Sequence, residues 1–120
     1  MATIRNGISF LTATEARDPS NPAVKALSAV NLGDVRFPFG FFIREGKGKK
    51  FVVPATWQDK LRNLRVAFPD FPDDQTFRVC EGNDDGRECI GGCDGAPEVM
   101  CVKLHNPDEG FFGCTCIDGV

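Results

Sequence analysis

The predicted fold rests on residues 24–54, VKALSAVNLGDVRFPFGFFIREGKGKKFVVP. Val24–Leu32 alternates between two faces with the period of two that is typical of a β-strand. Further on, Phe37, Phe39, Phe41 and Ile43 share one face of a second extended segment. Because such an aromatic face needs an apolar partner, we expect these four side chains to point together into a shared interior.

A glycine-rich loop follows the second predicted strand. Residues 45–49, EGKGK, are typical of a hairpin connection, Lys50–Val53 returns as a third strand, and Pro54 ends the ladder. Turn residues at 31–34 separate the first two strands. The segment therefore predicts a small antiparallel meander with a Phe-rich face and a cationic tip that projects at its rim.

Charge and cysteine content divide the chain of 120 residues. Residues 1–79 contain 12 Lys and Arg against 8 Asp and Glu, whereas residues 80–120 contain 2 against 9, together with all six cysteines. We therefore expect a β-meander domain at residues 1–67, a Pro-rich linker at 68–74 and an acidic Cys-rich module at 75–120.

Weaker patterns complete the prediction. Residues 4–11 suggest a first strand, and the two prolines in residues 15–22 favour a loop. Thr56, followed three places later by Asp59, predicts the start of a short helix that runs to about Arg65 and covers the Phe face. Further short strands are expected at 76–80, 99–103 and 111–116. The predicted class is β-dominated α+β, an antiparallel β-meander with a short helix plus a small Cys-rich module.

Three short segments resemble the SpoVG-like septation-regulator family of bacterial and phage proteins. They are Ala26–Val30 as a strand, Arg44–Gly48 as a hairpin and Phe51–Thr56 as a strand end, in the family's order. The resemblance covers about residues 24–56, and an acidic Cys-rich tail stands where the family's helix continues. It implies a dimeric α+β fold that binds nucleic acid with little sequence preference through basic residues.

Basic residues in and around the predicted hairpin could contact phosphates, and Phe42 could stack on a base. The alternative is an ordinary solvated surface, since charged hairpin tips are common. The predicted nucleic-acid-binding residues are Arg36, Arg44, Lys47, Lys49, Lys50, Lys60, Arg62 and Arg65.

The cysteines allow two interpretations. Six of them within 37 residues fit three disulfides, but four thiolates, with or without His105, would also make a tetrahedral zinc site. We expect no cofactor if they are oxidised, and zinc if they are reduced. The candidate metal or disulfide residues are Cys80, Cys89, Cys93, Cys101, Cys114 and Cys116.

The compartment that would decide between these interpretations is itself a prediction. The first residues do not resemble a signal peptide, which favours the cytoplasm, whereas disulfide bonds would indicate an extracellular protein. The sequence contains no run of about 18 apolar residues, so no membrane span is predicted.

Catalytic signatures are weak. The single histidine, His105, precedes an Asn-Pro turn and is expected at the surface, without a serine or cysteine motif beside it. We therefore expect a non-enzymatic binding protein that contacts nucleic acid through the basic hairpin. The alternative is an exported, disulfide-stabilised structural protein, the subunit of a homo-oligomer or filament, in which Phe-rich strand edges pair between copies.

Overall fold

The computed structural model describes residues 3–73, 80, 86, 89–93 and 99–118. They form a six-stranded antiparallel sheet with three short helices and a disulfide-linked C-terminal region, which confirms the predicted β-dominated α+β class. In chain order the elements are β1 (Thr3–Arg5), β2 (Ile8–Leu11), α1 (Ala13–Ala16), α2 (Pro22–Ser28), β3 (Phe41–Gly46), β4 (Lys49–Pro54), α3 (Trp57–Ala67), β5 (Val99–Asn106) and β6 (Phe111–Asp118).

The strand order joins the two ends of the chain in one sheet. It is β1-β2-β5-β6-β3-β4, so the C-terminal strands β5 and β6 lie between the N-terminal hairpin and the β3–β4 hairpin. The long β5–β6 ladder pairs Val99 with Asp118 at one end and Asn106 with Phe111 at the other. The predicted strands at 99–103 and 111–116 are confirmed within this ladder, while most of the predicted strand at 76–80 lies outside the described residues.

Each face of the sheet has its own apolar core. On one face α3 contributes Trp57 and Leu64 to a cluster that includes Phe42 and Phe111. The second cluster collects residues of α1, α2 and the opposite sheet face, namely Leu11, Ala16, Ala23, Leu27, Val30, Leu32, Phe37, Phe41 and Phe112. The sheet is therefore the middle layer of the molecule.

The predicted strand at Val24–Leu32 is wrong, because this segment contains α2. The Asn21 side chain accepts a hydrogen bond from the Ala23 N–H at 2.9 Å, and Pro22 occupies the first helical turn, where its missing N–H costs nothing. Ala23, Leu27 and Val30 then face the second core at helical spacing. The three-stranded meander therefore reduces to the β3–β4 hairpin.

The common interior predicted for the Phe-rich segment is only partly present. Phe37, Phe41 and Ile43 pack in the second core, but Phe39 packs with the first, 6.2 Å from the Trp57 ring. Gly40 separates the two directions with a φ of +88°. Helix α3 consequently covers the Phe42 and Phe111 face rather than the Phe41 face.

Both hairpins turn on two residues with positive φ. Lys47 and Gly48 have φ of 53° and 75° between the paired Gly46 and Lys49, and Asn6 and Gly7 have φ of 51° and 86° between β1 and β2. This is the type I′ geometry that matches strand twist. The predicted hairpin at residues 45–49 is confirmed, whereas the single strand predicted at residues 4–11 is divided by the Asn6-Gly7 turn into β1 and β2.

Helix α3 starts where the sequence predicts. The Thr56 hydroxyl accepts a hydrogen bond from the Asp59 N–H at 3.2 Å, and Asp59 accepts one from the Thr56 N–H at 2.9 Å. This reciprocal capping box satisfies two N–H groups at the helix start. A second box at Thr12 and Glu15 begins α1, whose last two residues fall in the segment 15–22 that is predicted to be a loop.

Candidate nucleic-acid interface and cysteine cluster

The tip of the β3–β4 hairpin displays a group of cations. Lys47 lies in the two-residue turn, Lys49 and Lys50 begin β4, and all three are exposed. Arg36, also exposed, lies in the segment before β3. The hairpin therefore presents positive charge at one corner of a chain whose net charge is −3.

Arg44 of β3 is exposed but anchored. Its guanidinium lies 4.2 Å from the centroid of the Phe42 ring, and its Nη1 donates a hydrogen bond to the Glu109 carbonyl at 2.5 Å. These contacts hold the side chain along the α3 side of the sheet. Because it is already restricted, Arg44 would lose little further side-chain entropy if it bound a ligand.

The cations of α3 are not presented in the same way. Lys60 is buried, with its ammonium 6.0 Å from the centroid of the Trp57 ring. Arg62 is paired with Asp59 at 3.2 Å and with Glu109 at 2.7 Å, while Arg65 binds Asp73 and the Phe71 carbonyl. The three α3 cations therefore already have partners within the chain, as Arg44 does.

The ion pairs of Arg62 shift its own pKa and that of Asp59. The hydrogen bond to Glu109 raises the pKa of Arg62 further, against the opposing effect of burial. Burial alone would raise the pKa of Asp59, but hydrogen bonds from Thr56 and Arg62 lower it below its ordinary value. Both groups therefore stay charged at neutral pH, and the pairing of Arg62 with Glu109 ties α3 to the β5–β6 turn.

Phe42 is not the exposed aromatic residue that the sequence suggests. It is 5% exposed and packs 5.2 Å from the Phe111 ring in the first core. The exposed ring on this hairpin is Phe51 of β4, at 48%, which lies directly opposite Arg44. The two-residue turn at Lys47 and Gly48 fixes this register, so the pairing of Phe51 with Arg44 was available from the sequence once the turn type was recognised.

The six cysteines form three disulfides. Cys80 pairs with Cys101 and Cys89 with Cys114, while Cys93 pairs with Cys116. Each joins one of Cys80, Cys89 and Cys93 to a cysteine of the β5–β6 ladder. The disulfide interpretation of the cysteine pattern is therefore realised in this structure.

Three of the sulfur atoms are also close enough to act as a group. The Sγ atoms of Cys80, Cys93 and Cys116 all lie within 4.8 Å of one another. Cys80 and Cys116 are buried and Cys93 is partly exposed, so the cluster sits just beneath the surface. Their geometry resembles a metal site even though these sulfurs are oxidised.

His105 is not at the surface, contrary to expectation. It lies in β5, is 9% exposed and stacks on Phe112 with ring centroids 4.2 Å apart. Burial lowers its pKa from 6.5 to about 4, so the imidazole is neutral at neutral pH. His105 therefore packs on the sheet face of the second core, which contains Phe112.

The fold and these two sites define the chain as a β-dominated α+β protein with a disulfide-linked C-terminal region. No family model, curated protein or solved structure matches it. The resemblance to the SpoVG-like family therefore stays a prediction. No helix in the described residues is long and apolar enough to cross a membrane.

Proposed function

We propose that the protein is a non-enzymatic binding protein that holds single-stranded nucleic acid on its β3–β4 hairpin with little sequence preference. The observation that carries the proposal is the exposed Phe51 ring directly opposite Arg44, with the exposed Lys49 two residues earlier on the same strand face. An aromatic face flanked by cations is the arrangement on which single strands stack and neutralise their phosphates.

The excess of basic over acidic residues on the β3–β4 hairpin supports this surface as the binding site. Arg44, Lys47, Lys49 and Lys50 outnumber the single acidic residue of the hairpin, Glu45. Gly46 and Gly48 have no Cβ to keep a phosphate away from the backbone near the tip. Arg36 lies outside the hairpin and would extend the same surface, whereas Lys60, Arg62 and Arg65 would act by supporting the fold.

The proposed function belongs to the oxidised protein. Three disulfides support an extracellular location, where thiols are not kept reduced. Binding of nucleic acid through Phe51 and the lysines needs no cofactor. Zinc would bind to the cysteines only after their reduction.

The test is the salt dependence of binding. We expect the oxidised full-length chain to bind a fluorescent single-stranded oligonucleotide, with an affinity that falls as salt is added. If the four hairpin cations contact phosphates, the slope of log K against log salt should be roughly −3. Binding that is independent of salt, or no binding at low salt, would contradict the proposal.

Matched variants locate the surface. Phe51→Ala should weaken binding by about 5- to 150-fold, the range for loss of one base–aromatic stack. Ile4→Ala, which alters an exposed apolar residue of the opposite edge strand β1, should leave the affinity unchanged.

Lys47→Glu with Lys49→Glu should abolish binding, whereas Lys25→Glu on α2 should reduce it only slightly. Equal effects of the hairpin variants and their controls would refute a binding site on the hairpin.

A second candidate function is supported by the position of β4. This strand is at the edge of the sheet and exposes Phe51 and Val53, at 48% and 38%. An edge of this kind can pair with a second copy, as expected of an exported structural subunit. A particle mass that stays above the monomer at high dilution and falls in Phe51→Ala, together with no oligonucleotide binding, would favour this homo-oligomer.

A further inference from the structure

We propose that Cys80, Cys93, Cys101 and Cys116 form a zinc site when their two disulfides are reduced, so that this region has an oxidised and a metal-bound state. The inference does not depend on nucleic-acid binding. It rests on how closely the two disulfides approach one another and on the strands that hold them.

The distances between the two disulfides already match zinc coordination. The Cys80 Sγ lies 3.9 Å from that of Cys93 and 3.6 Å from that of Cys116. In a tetrahedral site with Zn–S bonds of about 2.3 Å, neighbouring sulfurs are about 3.8 Å apart. Two of the sulfur–sulfur edges of such a site are therefore present before any metal binds.

The β5–β6 ladder supplies the fourth ligand. Cys101 and Cys116 are directly opposite each other in this ladder, so their side chains lie on the same sheet face. Cys101 is now bonded to Cys80, so breaking that bond leaves its thiol beside the Cys80 thiol, on the sheet face that also carries Cys116. Cys101 and Cys116, held by the sheet, would supply half of the site, and Cys80 and Cys93 would complete it.

The third disulfide does not belong to the site. Among the described residues, the Sγ atoms of Cys89, Cys101 and Cys114 are outside the group of three sulfurs that lie within 4.8 Å of one another. Cys101 is bonded to Cys80, a member of that group, whereas Cys89 and Cys114 are bonded only to each other. Cys114 is opposite Lys103 in the ladder, one step along the same face. The buried ammonium of Lys103 donates a hydrogen bond to the Gly86 carbonyl at 2.9 Å, and its charge would offset part of the negative charge of a zinc tetrathiolate.

The conversion requires a reductant. Two equivalents of a dithiol supply four electrons and four protons, so that the Cys80–Cys101 and Cys93–Cys116 bonds break, four thiols form and each dithiol leaves as a disulfide. Four Zn–S bonds then form with loss of the four thiol protons. Partly exposed Cys93 and Cys101 give the reductant access to both disulfides.

The first test compares three double variants, each of which keeps four cysteines. After anaerobic reduction, wild type and Cys89→Ser/Cys114→Ser should bind one Co²⁺ with the visible absorption of tetrahedral thiolate coordination, and Zn²⁺ should displace it. Cys80→Ser/Cys101→Ser and Cys93→Ser/Cys116→Ser should bind at least about 100-fold more weakly, since losing ligands costs more than losing the groups that orient them. Equal binding by all three variants would mean chelation by any four cysteines and would overturn the proposal.

A second measurement needs no variant. In the reduced wild-type chain, Zn²⁺ should protect Cys80, Cys93, Cys101 and Cys116 from alkylation, while Cys89 and Cys114 stay reactive, as read by peptide mass spectrometry. Uniform protection, or none, would refute the assigned ligands even if a variant failed to fold.

Discussion

Among single residues, His105 shows how burial changes a side chain that looks ordinary in the sequence. Its position before Asn106 and Pro107 predicts a surface loop, but strand β5 continues through it and stacks the ring on Phe112. The backbone pairing extends three residues beyond the predicted strand end at 103. Local turn signals could not reveal this, because the pairing partners lie in β2 and β6.

We expect His105 to make stability fall in mildly acidic solution. Its folded pKa of about 4 lies below the ordinary 6.5, so the unfolded chain takes up the proton first as the pH falls. Stability should therefore be full above pH 6.5 and decrease toward pH 4, by on the order of 3 kcal/mol. Denaturant unfolding at a series of pH values measures this.

The matched variant for this prediction is His105→Phe, which keeps a ring against Phe112 and cannot titrate. Its stability should be nearly flat between pH 6.5 and 4. Burial raises the pKa of Glu15 and Asp59, but hydrogen bonds lower both below their ordinary 4.5 and 3.8, so their protonation removes stability in both proteins mainly below pH 4.5. An identical slope for wild type and variant above pH 4 would exclude His105 as the source.

Gly40 is the second residue whose identity the fold requires. Its φ is +88°, and a Cβ there would lie 2.2 Å from the Phe112 carbonyl oxygen. Gly40→Ala should lower the free energy of unfolding by at least about 3 kcal/mol, from backbone strain together with overpacking.

Gly48 is the control for Gly40. Its φ of +75° is similar, but nothing lies within 4 Å of the added Cβ. Gly48→Ala should therefore cost only the backbone strain, about 1–2 kcal/mol, in the same denaturant experiment. Losses of equal size would show that the contact with Phe112 is unimportant.

The secondary-structure elements differ in how well the sequence predicts them. The start of α3 and the β3–β4 hairpin carry strong local signals, a capping box at Thr56 and Asp59 and a glycine-rich turn at Lys47 and Gly48. In residues 24–32 the side chains alternate as in a strand, but Asn21 and Pro22 form a helix start just before them. The segment adopts the helix α2 that this start favours. Alternation in small and apolar residues is therefore weaker evidence than a capping residue followed by proline.

We expect the Thr56 cap to be measurable by itself. Thr56→Ala removes the acceptor for the Asp59 N–H and should cost about 1 kcal/mol of stability. Thr56→Ser keeps the hydroxyl and should stay close to wild type in chemical denaturation. If both substitutions cost the same, the loss would come from the methyl group rather than from the cap.

For the molecule as a whole, the disulfides link Cys80, Cys89 and Cys93 to the two central strands of the sheet. They close segments with sequence separations of 21, 25 and 23 residues. Each bond should stabilise the fold by about 3 kcal/mol, mainly by restricting the unfolded chain. Reduction in the presence of a chelator should therefore lower the melting temperature sharply, as followed by circular dichroism. An unchanged melting temperature after complete reduction would show that the sheet does not need these links.

The amino-acid sequence by itself determined the local features of this protein. These are the cationic hairpin, the start of α3 and a cysteine pattern that fits three disulfides, because turn, cap and cysteine signals lie within a few neighbouring residues. Taken together, these signals also predicted the β-dominated α+β class. Only the tertiary structure decided the cysteine pairing, the exposure of Phe51 instead of Phe42 and the burial of His105. It also placed β5 and β6 between β2 and β3. These features depend on contacts between residues far apart in the chain, and a period of two or of 3.6 does not specify which distant partner covers each face.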